Sequence, residues 1–561
     1  MVISLVISFY SQAWNRQAFV WSELNRIEEA WESSKRSVAI DAENADIQRL
    51  HVDIEYRHRS AMEERQLQEL DAAERERLKV VEAFIAQSAQ HVADLLPAMR
   101  ACSAECARSR LAQVHFRLSG ALGSAVDMLT RSPPDTIPPE LLQLVACAID
   151  SQPLSIRAGE ELGLLPALSE LVVSTSSPAN IRAESLRVLL RCCSPAAPTN
   201  IRTSILRNPV FVEAFCSEVS DTIISSKNTL NVPFIAECLS LLKEMVFSDE
   251  GRVNAEDSPC LVSSISSILA SRDLMALWSS CVEVLVGCSQ IGKLKEQFTA
   301  PLSDGRTPIS LLLNIARLES DASVNCLTSL FNLTVESKET LRDLIAKEGG
   351  IEIAVSALNH PSEDSYALRS IQLLSRIATT DEVKTRLLEP RHYSLICQGI
   401  RDTCKHIQSI PSKREICGYL INTLACLTTP SPDCRNVALE LGLVRHILQI
   451  FPEPKHELGV ITPESVIQVP RDSVPVIMLG NAARCLMPYA DDPEANYDIY
   501  LNRSLKGIEK LVCAMATVSD IRVRKNIAIL LAKGCRLPAV RNHVSELRGI
   551  QMMVELQDQL I

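Results

Sequence analysis

His51 and His58 stand seven residues apart, with Asp53 and Glu55 between them, in a strongly charged stretch. On a helix His51, Glu55 and His58 fall on one face, because steps of four and seven return to the same side. Imidazole and carboxylate are zinc-ligand types. Two histidines on an exposed, salt-bridged helix are nevertheless ordinarily solvated, and no metal site is expected. Cys102 and Cys106 are four apart; in an apolar segment a thiol is a small hydrophobe, so both are expected in the core. Other chemistry fails for want of a motif. There is no Gly-rich phosphate loop, no His-Glu-x-x-His and no Gly-x-Ser-x-Gly elbow. No catalytic, cofactor-binding or metal-binding residue is expected, and the chain reads as non-enzymatic with no small-molecule substrate. The formal glycosylation patterns at Asn332-Leu333-Thr334 and Asn502-Arg503-Ser504 are expected to be unused.

The elements that hold these residues follow from composition. At 561 residues the chain exceeds what one core serves, so it is several domains or a repeat array. It is 47% hydrophobic but only 4% aromatic. A core of Leu, Ile, Val and Ala suits helix-on-helix packing, and 18 glycines leave little room for hairpins. A net charge of −11 speaks against nucleic acid as the partner, since polyanions need a large basic footprint. The 19 cysteines are odd in number, scattered, and without a Cys-x-x-Cys pair. That usage fits free thiols in a reducing compartment, cytoplasmic or nuclear.

Met1 to Tyr10 is apolar, lacks a basic flank and is too short to span a bilayer, so it reads as a buried or frayed helix start. No glycine or proline precedes Pro97, which predicts long helices over residues 1–110. Residues 41–80 hold eleven acids and seven bases, a pattern of i,i+4 pairs on an exposed helix. A broken apolar stripe runs through Ile47, Leu50, Ile54, Ala61, Leu67, Leu70, Leu78, Val81 and Ile85. Its heptad phase slips at the 11-residue step from Leu67 to Leu78. Two readings stay open: a coiled coil that makes a homodimer or docks a partner, or helices that fold back to cap the remainder of the chain.

From residue 111 onward apolar segments alternate with short breaks. The helix ends align as a column starting at Leu144, Leu189, Leu242, Leu285, Leu330, Leu374, Leu424, Ala482 and Leu531. The intervals run from 43 to 58 residues, near the 40–47 typical of all-helical arrays. The segments Leu162-Gly163-Leu164-Leu165-Pro166, Gly349-Gly350-Ile351, Glu440-Leu441-Gly442-Leu443-Val444 and Lys506-Gly507-Ile508 repeat one helix start. Leu327 to Thr334 (LTSLFNLT) marks one helix end. These units resemble armadillo repeats. The resemblance implies an all-α, right-handed superhelix of about nine repeats over 111–561, with a groove that binds a protein. Residues 451–475, with five prolines, read as a Pro-rich insertion that sets two units further apart.

Armadillo proteins that grip extended peptides carry asparagine on the inner face of successive repeats. Here the aligned position reads Ala146, Arg191, Glu244, Gly287, Asn332, Arg376, Cys426, Arg484 or Cys485, and Lys533. Only Asn332 fits, and the tryptophans (Trp14, Trp21, Trp31, Trp278) form no ladder. This speaks against a nuclear-import receptor. The candidate partner-binding residues of that column are Arg191, Glu244, Asn332, Arg376 and Lys533. To them the sequence adds Arg522, Arg524 and Lys525. Residues 500–549 carry +7 while the rest of the chain carries −18, so this end could receive an acidic or phosphorylated segment. It could equally be a solvated terminal cap. The leading expectation is a scaffold or adaptor. Val523 to Gly549 is similar to armadillo-like modules of myosin co-chaperones and axonemal dynein assembly factors, which implies an assembly-factor alternative. An armadillo-type exchange factor for a small GTPase is the third.

Overall fold

The computed structural model describes residues 2–88, 95–174, 176–225, 231–318, 320–335, 339–359, 365–407, 410–427, 429–453 and 476–560. Among these every regular element is a helix. The Pro-rich insertion lies outside the described residues from 454 to 475. The chain forms two compact units, Met1–Leu261 and Val262–Ile561.

The first unit opens with α1 (Val2–Glu23), α2 (Ile27–Ile40), α3 (Ala45–Gln68) and α4 (Ala72–Gln87). Without glycine or proline, other residues make the breaks. Asn25 adopts φ +56 between α1 and α2, a conformation asparagine tolerates better than most residues. The Asn44 side chain accepts from the amides of Asp46 and Ile47 and starts α3. Asp71 and Glu74 cap each other reciprocally and start α4. This last break falls within the Leu67–Leu78 step, so the heptad slip marks a corner between two helices. The helices α1, α2 and α3 pack on one another. Ala18, Ala30 and Ile54 form their core, with Trp21, Trp31 and Leu50 around it.

Next, α4 packs on α5 (Leu96–Arg108), the first member of a row. In the first unit the row runs α5, Pro139–Ile149, Ala179–Cys192 and Val232–Phe247, each helix stacked on the next. In the second unit Trp278–Cys288, Asp321–Thr334, Ser365–Ile377, Pro411–Cys426, Val476–Leu486 and Ile521–Gly534 stack in the same manner. All nine column segments lie in these helices. The column had no sign of α5, which begins ahead of residue 111.

A typical repeat is a short helix (Pro153–Glu161), a second helix (Leu164–Val173) and the row helix (Ala179–Cys192). The corner between the first two needs a left-handed residue, supplied by Gly163 at φ +86 and, in a later repeat, by Gly442 at φ +68. Lys506 holds the same corner at φ +49 without glycine's freedom. The row helices turn Leu, Ile, Val and Cys inward, and Leu186, Leu189, Leu285, Leu330, Leu374, Leu420 and Leu531 are all fully buried. Cys102 and Cys106 are buried as expected, and all 19 cysteines are free thiols. Burial pushes Cys193 and Cys288 up to about 12, far from the thiolate a nucleophile needs.

Candidate interaction surface

The histidine cluster is part of the packing between α2 and α3. Trp31 of α2 stacks on both imidazoles, at 4.9 Å from His51 and 5.3 Å from His58. The Nδ1 of His51 lies 3.0 Å from Ser34 Oγ, and His58 Nε2 lies 2.9 Å from Glu28, which Arg65 also reaches at 3.0 Å. No group of side chains suited to a metal ion occurs among the described residues. Desolvation lowers His51 below the ordinary imidazole value, and the His58 hydrogen bond leads in lowering Glu28.

The acids of α3 meet arginines on the repeats of the first unit. Glu63 binds Arg117 at 2.6 Å, with both side chains under a tenth exposed, and the exposed Arg110 joins at 3.3 Å. Asp53 binds Arg157 at 2.6 Å, and that guanidinium also lies over the Tyr56 ring at 4.1 Å. Between α3 and the Pro153–Glu161 and Thr199–Leu206 helices runs a cleft of about 1110 Å³. Its walls carry Arg49, Arg59 and Arg157, each near its own carboxylate. With Glu160 and Glu161 also on its wall, the cleft lining carries five acids against three bases, a mixed surface of slight negative excess.

The column residues mostly reach back to the preceding repeat. Arg191 binds Asp150 at 2.7 Å, and Glu244 lies 3.7 Å from Arg202. The Asn332 amide donates to Ser289 Oγ at 3.2 Å and to the Val286 carbonyl at 3.4 Å. Arg376 stands over the Phe331 ring at 5.3 Å. Lys533 donates to the Met487 carbonyl and to Asp491, each at 3.1 Å, and Arg536 shares Asp491 at 3.2 Å.

Three further amides were missed by the sequence reading. Asn422 donates to the Ser375 carbonyl at 3.5 Å, Asn481 to the Asn422 side-chain oxygen at 3.1 Å, and Asn526 to the Gly480 carbonyl at 3.3 Å. Looser spacing in the last repeats moved the aligned column off these residues. An asparagine in each of the last three row helices was the available signal. Each uses an N–H within the row, so they staple repeats together.

The C-terminal row helix, Ile521–Gly534, is arranged differently. Arg522, Lys525, Ile529 and Lys533 follow one another at steps of three and four, and so form one stripe. Arg522 and Lys525 are exposed and make no side-chain hydrogen bond or ion pair among the described residues; Ile529 is 40% exposed. Arg524 is not on this stripe: it is half-buried and donates to Gln559 at 3.2 Å on the last helix, Gly549–Leu560. Nearby, Lys510 is buried and bound to Glu453 at 2.5 Å.

No family model matches this chain, and no curated protein matches it. Solved structures do. An engineered protein aligns with a TM-score of 0.57 at 16% identity, covering 81% of this chain and 98% of that one. Another match is a chain from a structure of a conserved phosphorylation switch that controls the interaction between cadherin and beta-catenin. It gives a TM-score of 0.61 at 15% identity, covering 90% of this chain and 92% of that one. Identities this low show the fold alone, and the fold is an all-α armadillo-type array of helical repeats.

Proposed function

We propose that this chain is a non-enzymatic scaffold whose second unit receives an acidic or phosphorylated segment of a partner protein. The receiving surface is the part of the stripe formed by Arg522, Lys525 and Ile529, while Lys533, Arg376 and Asn332 of the same unit's row contact the neighbouring repeat. One observation carries the reading: among the described residues the exposed cations Arg522 and Lys525 lack carboxylates such as those that neutralise Arg191, Lys533 and Arg536. Charges not used for stacking are available to steer and hold an anionic segment. An exposed isoleucine beside them adds apolar contact, and guanidinium suits a phosphate or carboxylate. The structurally similar chain comes from a study of a protein–protein interaction under phosphorylation control, which favours the same class of function.

The test is charge reversal. The double variant Arg522→Glu/Lys525→Glu should fold normally, because neither side chain is buried. Affinity capture from native extract followed by mass spectrometry should lose one set of acidic or phosphorylated partners, and the wild-type complexes should weaken with added salt. An unchanged partner set removes the proposal.

A further inference from the structure

The hairpin of α1 and α2 closes through small residues, with Trp21 and Trp31 beside its core, and leaves several large apolar residues of α1 outside. Ser11 and Ala18 of α1 and Ala30, Ser33 and Ser37 of α2 are buried, and Ser22 and Ser34 are buried next to α3, bonded to Arg57 and His51. The helices approach closely enough for the Ser37 hydroxyl to donate to the Ser11 carbonyl at 2.8 Å. On the outer side Tyr10 is 59% exposed, Phe19 53%, Val20 52% and Leu24 60%. Tyr10, Ala13, Gln17, Val20 and Leu24 follow at steps of three and four and are all exposed, which makes one stripe along the helix. Of the apolar start Met1–Tyr10, expected as a buried or frayed helix start, only Tyr10 has a described side chain, and it is exposed. Helices that pair in water bury their large apolar side chains. Pairing through serine and alanine, with hydroxyl-to-carbonyl bonds between helices, is how helices pack when their surroundings are themselves apolar.

We infer that α1 docks this chain on a lipid surface of zwitterionic headgroups, lying in the interface with the Tyr10–Leu24 stripe in the acyl boundary. Charge argues for that occupant. The only charged residues of the 22-residue helix are Arg16 and Glu23, which cancel, and the chain carries −11. Nothing on α1 draws it to an anionic surface or a charged partner. Tyr10 is exposed and of the aromatic type enriched at headgroup depth, and Trp14, half-buried under the Arg36 guanidinium at 4.7 Å, is another such type, whereas Trp21 packs on the hairpin's core. Area argues against a second copy. The described stripe from Tyr10 to Leu24 is about 22 Å long. A stripe about 10 Å wide over that length would bury roughly 400–500 Å² between two copies, short of the roughly 1,200 Å² of a stable pair. No helix among the described residues is long and apolar enough to cross a membrane, so α1 would lie on the surface.

The experiment is flotation of the full chain with phosphatidylcholine vesicles, with and without phosphatidylserine. It compares wild type with Val20→Gln/Leu24→Gln and Val20→Glu/Leu24→Glu, whose folding is checked by circular dichroism. Wild type should float with phosphatidylcholine alone and gain nothing from phosphatidylserine. Its tryptophan emission should shift to the blue. Both variants should lose at least tenfold in bound fraction. The inference is overturned if wild type fails to float, if the variants float equally, or if flotation requires phosphatidylserine. It is also overturned if light scattering without vesicles shows a dimer that the variants dissolve.

Discussion

Replacing Glu63 by alanine should detach α3 from the repeats of the first unit. Its carboxylate binds Arg117 at 2.6 Å, and the two side chains are 8% and 7% exposed. Arg117 keeps a bond of 3.3 Å to Ser60, but its buried Nε already has no partner. Removing Glu63 therefore leaves a guanidinium desolvated and almost uncompensated, a change that costs about 3–5 kcal/mol. Arg110, 73% exposed, adds at most about 1 kcal/mol to the pair. Because α3 meets the repeats through a few such contacts, the loss should appear first as local opening. Hydrogen exchange followed by mass spectrometry should show the amides of Ala45–Gln68 exchanging about a hundred to a few thousand times faster. The double variant Glu63→Met/Arg117→Met should recover most of the protection, since no charge then remains buried. Two outcomes would refute the reasoning: an alanine variant within about 1 kcal/mol of wild type, or a double variant as damaged as the single one. Either would mean that α3 is held by something other than this pair.

Acidification should loosen α2 from α3 in two steps, read from tryptophan emission because Trp31 stacks on both histidines. Burial lowers His51 below 6.5, so its contribution is full above that pH and is lost as pH falls through the folded value. Glu28 is lowered below 4.5, chiefly by His58; its small, solvent-screened contribution holds above 4.5 and goes as pH falls further. His51→Gln should erase the upper step only, and an unaltered profile would count against the assignment. Gly507→Ala should destabilise the second unit by about 2–3 kcal/mol, because a Cβ there would sit 1.9 Å from the Ile499 carbonyl oxygen, which is backbone and cannot turn aside. A urea midpoint within error of wild type would show that this corner gives way.

What was legible in the sequence was the energetics of stacking. The column of leucines from Leu144 to Leu531 could be read because every row helix meets the same demand: apolar residues at helical spacing that face the next repeat. Corners were legible where glycine marks them, as at Gly163 and Gly442, since little else tolerates the conformation. The N-terminal breaks were not, because Asn25 makes one through a left-handed backbone and Asn44 and Asp71 make the others through capping, and those residue types are common on any charged helix. The row continued back to Leu96–Arg108 without a readable segment, since a single early member shows no period. Arg524 and Lys525 are adjacent in sequence and fall on different faces. Only coordinates show that one of them meets Gln559.

The displaced asparagines have a functional consequence. An array of repeats is held together by its nearest-neighbour interfaces, so any side chain that bridges two row helices contributes to stability first. Asn332, Asn422, Asn481 and Asn526 each bridge in this way, as do Arg191 and Lys533. Amides held against the neighbouring repeat by stacking bonds are fixed in place for that task and not set out to follow a ligand's backbone along the array. Recognition then rests on side chains the stack does not need, and on Ile521–Gly534 these are Arg522, Lys525 and Ile529. Changes at the bridging amides should therefore lower stability with little effect on partner choice. Changes at Arg522 and Lys525 should do the reverse. Measured side by side, the two sets of variants separate a surface that binds from a surface that only holds the repeats in register.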